Sequence, residues 1–146
     1  MLDTTELVDR ACWRIDCKTM ASQATHRQLI VGGIPIGLHW SNSIAARDIE
    51  VLVDIGPVDS PLRETVLESF LCANLAFYPE GRNMLALDPE SRHVIFATRI
   101  DVDQHTTELD VAREVEAAAA TGAAVRREIA GAQSALEPAT AGETNP

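Results

Sequence analysis

The side chains able to do chemistry are few and dispersed. Four histidines, His26, His39, His93 and His105, stand singly along the chain. An imidazole can act as a base or as a metal ligand, but a metal centre needs partners at a defined spacing. No second His, Cys or carboxylate lies at such a spacing from any of the four, so each reads as a surface or rim imidazole. Three cysteines, Cys12, Cys17 and Cys72, are the candidate nucleophiles. Cys12 and Cys17 are five positions apart, which matches neither a zinc nor a redox motif. Cys12 and Cys72 fall on apolar helix faces, where cysteine usually packs, and Cys17 is the one expected at the surface. Ser41 and Ser43 lie near His39, but no GxSxG elbow is present. Gly32-Gly33 is a turn rather than a phosphate-binding loop. The residues therefore imply no catalytic constellation, no metal and no cofactor.

Charge narrows the partners. There are 22 Asp and Glu against 12 Lys and Arg, a net charge of −10 with pI about 4.7. Such a chain repels phosphate backbones and anionic bilayers, so no nucleic acid and no membrane insertion are expected. It suits a basic or apolar protein partner, or solubility alone. The odd cysteine count points to a reducing compartment. No apolar run approaches the roughly 18 residues that span a bilayer. The opening MLDTTELVDR lacks the basic and apolar regions of a signal peptide.

With 146 residues the chain makes one domain with a real core. A helix is predicted from Asp3 to about Ala21, with Leu7, Val8, Ala11, Cys12 and Ile15 on one stripe. Trp13 lies off that stripe, either lapping the rim of the core or making a surface contact. Two strand-like runs flank Gly32-Gly33, a tight-hairpin signal. Pro35 favours an edge strand or a bulge there. Asp48 to Ile55 is a third strand, completing an antiparallel meander. Ser60-Pro61 opens the next helix, whose Leu62, Val66, Phe70, Ala73 and Phe77 recur at helical spacing. Leu67, Leu71 and Leu75 form a second apolar row beside them. Such a width sets the helix either deep between layers or against a second subunit. Strands at Asn83–Leu87 and Arg92–Ile100 flank the turn Asp88-Pro89-Glu90-Ser91. An Ala-rich helix follows from Glu108 to about Gly131, with Gly122 as a point where it could stop or bend. Residues 1–132 form the domain, and residues 133–146 are expected to be a disordered acidic tail.

The central stretch resembles the class I type III secretion chaperone family, the Tir-chaperone-like (CesT-type) proteins. A helix carrying ETVLESFLCANLAFY leads through a Pro/Gly turn into MLALDPESRHVIFATRIDV, which is similar to that family's most recognisable segment. The resemblance implies an α+β fold, α-β-β-β-α-β-β-α, with a twisted antiparallel sheet packed with helices and a homodimeric assembly. It implies a protein of the bacterial cytoplasm that is not an enzyme and uses no ATP. Such a chaperone binds the N-terminal region of a type III secreted effector protein, holds it partly extended and secretion-competent, and contacts the secretion machinery. The alternative is a regulatory protein-binding module of the same fold not dedicated to secretion. The family's dimer interface would correspond here to Leu67, Phe70, Leu71 and Asn74. Its effector-binding patches would correspond to Trp13, Ile34, Ile36, Leu38, Val94 and Phe96.

Overall fold

Asp3 starts the first helix: its carboxylate accepts the Glu6 amide at 2.7 Å, relieving one of the free N–H groups of the first turn. In the computed structural model, which describes residues 3–43, 45 and 47–136, this helix is α1 (Thr4–Arg14). It buries Leu7, Val8 and Ala11. The predicted extension to Ala21 does not occur. The backbone leaves helical space at Ile15 (φ −91°, ψ 135°), and Cys17–Gln23 is a strand, β1. Its sequence, CKTMASQ, has no apolar alternation because both faces are largely exposed. Pairing to the next strand, rather than burial, fixes its conformation.

β2 (His26–Val31) and β3 (Ile34–Trp40) form a two-residue hairpin. Gly32 (φ 56°) and Gly33 (φ 79°) both take the left-handed conformations that such a turn demands. β4 is Asp48–Pro57. A 3-10 turn (Ser60–Leu62) leads into α2 (Arg63–Phe77). β5 (Asn83–Leu87) and β6 (His93–Asp101) follow, then α3 (Glu108–Leu136). The expected α+β class and antiparallel sheet hold, with β1 as one strand more than the expected meander. The sheet order is β1-β2-β3-β4-β6-β5. Pro35 sits in an interior strand, not at an edge. It is tolerated because pairing of β3 with β4 begins only at Ile36, opposite Val53. The β5–β6 turn is organised by Asp88. Its carboxylate accepts the Ser91 hydroxyl at 2.6 Å and the Glu90 amide at 3.1 Å, which hold it below the usual carboxylate range.

Strand alternation sorts the sheet into two faces. Leu29, Ile36, Leu38, Val51, Val53, Val94, Phe96 and Ile100 point to one side and are buried. α1 and α3 pack there, joined by an Arg14–Glu108 ion pair at 3.0 Å. Gly122 does not end or bend α3 into two pieces. A Cβ there would lie 2.4 Å from Val53 Cγ1, so the missing side chain lets α3 approach β4. α3 runs to Leu136, so residues 133–136 of the expected tail are helical. Residues 137–146 lie outside the described residues. No described helix is long and apolar enough to cross a membrane.

Candidate functional site

β1 has a neighbour, β2, on one side only, so its other edge presents free backbone donors and acceptors. The register slips between Thr19 and Ala21, a bulge within the edge. Trp13, at the C-terminal end of α1, shares a cleft with Cys17 and Thr19 of β1 and is 90% exposed. Asp9, Cys12, Trp13, Ile15, Cys17 and Thr19 line a cleft of about 410 Å³ between helix and strand. Arg27 forms its floor and is itself buried. The guanidinium pairs with Asp9 (2.9 and 3.0 Å) and donates to the carbonyls of Gln23 and His26. It also lies 5.1 Å over the Trp40 ring. Trp40 in turn donates its indole N–H to Thr5 at 3.0 Å. Arg27 thus ties α1 to the β1–β2 turn and holds the shape of the cleft.

A second apolar surface lies at the opposite edge of the sheet. α2 packs against β5 and the 3-10 turn before it, while Leu71, Leu75 and Tyr78 along its outer side are 71%, 76% and 81% exposed. Met84 on β5 adds to the exposed apolar area. The Asn74 side chain donates to the Leu85 carbonyl (2.9 Å) and accepts the Leu85 amide (2.8 Å).

The sequence-derived candidates divide sharply. Ile34, Ile36, Leu38, Val94 and Phe96 are 0–5% exposed and fill the interior beneath α1 and α3. They are corrected from effector-contacting side chains to core. The alternation that singled them out marks the face covered by the helices. Trp13 alone of that set is at the surface. Of the interface set, Leu71 faces outward and Leu67 is partly buried. Phe70 turns into the core and Asn74 toward β5, so neither belongs to the exposed row. Leu75 and Tyr78 do, as their spacing from Leu71 indicates.

Several of the chemistry-bearing residues have structural partners. Ser41 and Ser43 accept backbone amides of their own loop. His93 Nδ1 meets the Asp54 carboxylate at 2.9 and 3.0 Å, beside a cavity of about 350 Å³ that Arg126 also lines. Arg126 is spent on the carbonyls of Asp54 and Ile55, both at 3.0 Å. Ser91, near His93 in sequence, donates its hydroxyl to Asp88. Burial, with Cys17 and Asp9 nearby, pushes the Cys12 thiol up to about 11. Burial and Asp16 raise that of Cys17. Cys72 is exposed. Iodoacetamide should therefore label Cys72 first and Cys12 last. Mass mapping that finds Cys12 or Cys17 reacting faster than a free thiol would reveal an activated nucleophile.

One pair escaped the sequence reading. His26 and His39 are directly opposed across the β2–β3 hairpin, with ring centroids 4.0 Å apart. The signal was present, because the two are equidistant from the Gly32-Gly33 turn and a two-residue hairpin pairs such positions.

The sequence signature of the Tir chaperone protein (CesT) family matches residues 31–121. No curated protein matches the chain. Among solved structures, a chain of the ExsC–ExsE complex superposes with a TM-score of 0.62 at 15% identity, covering 87% of this chain and 93% of that one. At that identity the likeness is one of fold.

Proposed function

The chain belongs to the Tir chaperone protein (CesT) family, and from that premise we propose that it is a bacterial cytoplasmic chaperone for a type III secreted effector. It binds the effector's N-terminal region in extended form, without ATP, keeps it secretion-competent and presents it to the secretion machinery. The observation that carries the reading is the open edge of β1, together with the exposed Trp13 that shares a cleft with that strand. An extended segment that adds to this edge gains main-chain hydrogen bonds whatever its sequence, while its alternate side chains enter the cleft next to Trp13. That combination suits a client that must be held unfolded and later released. The fold-related chain was crystallised as part of the ExsC–ExsE complex, which is consistent with a binding role.

We infer further that the protein works as a homodimer through α2. Leu71, Leu75 and Tyr78 are too exposed for an isolated protomer to benefit from them, and burying each is worth about 2 kcal/mol. Residues 1–132 act as the chaperone domain, with the remainder as an acidic tail.

Co-expression with effectors encoded beside its gene, followed by purification and mass measurement, tests the function. A complex containing one effector's N-terminal region is expected, and failure of every such candidate to co-purify would sink the reading. Within such a complex, Trp13→Ala should cost about 2 kcal/mol, roughly 30-fold in affinity. The thermal midpoint of the free protein should hardly move, since Trp13 supports little of the fold. Unchanged affinity, measured by calorimetry, would remove Trp13 from the binding surface.

A further inference from the structure

The sheet face opposite α1 and α3 carries His26 and His39 side by side. We propose that these two imidazoles form a binding site for a late first-row divalent cation (Ni²⁺, Cu²⁺ or Zn²⁺), seated over Gly37.

Three observations converge on it. The rings are 4.0 Å apart at their centroids and tilted by 39°, so their edges draw closer on one side. Two nitrogens bound to one such ion lie roughly 3 Å apart, each about 2 Å from the metal. Gly37 supplies the floor: a Cβ built there would sit 3.7 Å from both His26 Cε1 and His39 Nε2, so both ring edges face the same spot. His26 Nδ1, bonded to that Cε1, is buried and has no hydrogen-bond partner. A buried polar nitrogen without a partner calls for an explanation, and a metal ion accepts its lone pair.

The surroundings favour a cation. Glu50 lies across from His39 on β4. Among the described residues no three His, Cys, Asp or Glu side chains are placed to hold a metal together. The remaining coordination positions therefore fall to water, and the site is an exchangeable one rather than a structural cage. Late metals with a preference for nitrogen fit this donor set best.

Titration of the full chain with NiCl₂, followed by calorimetry, tests the proposal. One equivalent per chain is expected. His26→Asn and His39→Asn should each weaken binding at least tenfold, while Cys12→Ser/Cys17→Ser should leave it unchanged. Retained affinity in His26→Asn, or loss of binding in the thiol variant, would overturn it. Footprinting of the unmutated protein with diethyl pyrocarbonate gives an independent readout. Ni²⁺ should protect His26 and His39 but not His93 or His105, and uniform protection or none refutes the site.

Discussion

Leu71→Asp should halve the mass of the protein in solution without unfolding it. In the protomer Leu71 is 71% exposed, so the substitution removes no internal packing, and the cost to protomer stability should stay within about 0.5 kcal/mol. In the proposed α2-mediated dimer the same position is enclosed, with Leu75 and Tyr78 beside it. An unpaired carboxylate buried there costs about 3–5 kcal/mol, on the order of a hundred- to several-thousand-fold in dissociation constant. Leu71→Ala removes area without adding charge and should weaken pairing much less. Light scattering and a thermal melt decide the matter together. A variant with the mass and midpoint of the parent would place the interface elsewhere. A variant that melts far earlier as a monomer would show that Leu71 supports the protomer itself.

Gly122→Val is expected to destabilise the protomer by about 3 kcal/mol, mainly through overpacking, with a further small penalty for a β-branched residue in a helix. The new Cβ would overlap Val53 Cγ1 at 2.4 Å, and Val53 is fully buried in the middle of the sheet with no room to retreat. For a chain of this size the midpoint should fall by roughly 6–12 °C. Gly131→Ala provides the contrast. It lies in the same helix with nothing within 4 Å of the added carbon. It should raise stability by about 0.5–1 kcal/mol through helix propensity alone. Equal effects at the two positions would mean that α3 does not rest on β4 at Gly122.

Much of the scaffold could be read from local pattern. The Gly32-Gly33 hairpin, the α2 stripe and the β5–β6 unit all carry strong periodicity or turn chemistry, and all appear where that chemistry puts them. β1 could not be read the same way. Its residues are exposed on both faces, so burial left no mark on the sequence, and the strand exists through hydrogen bonds to β2. The start of β1 also truncates α1, because Ile15 must turn the chain toward the sheet. Gly122 illustrates the opposite limit. Its sequence context signals weakness, whereas the contact with Val53 that explains it joins residues far apart in the chain. The surface candidates failed for a related reason. Apolar alternation in Ile34, Ile36, Leu38, Val94 and Phe96 identifies a buried face, and nothing local distinguishes burial under the protein's own helices from burial under a partner. Trp13 differed because it fell outside the stripe of its helix.

The two hydrogen bonds between Asn74 and Leu85 bear on how many copies of the chain can join. An open sheet normally has two borders, and a molecule sticky at both can stack end to end without limit. Here the middle of the β5 border is already occupied by an amide group from α2, which imitates the next strand. Only the β1 border remains available. Growth by strand addition therefore stops after one step, and the chain is kept from polymerising on itself through its sheet edges.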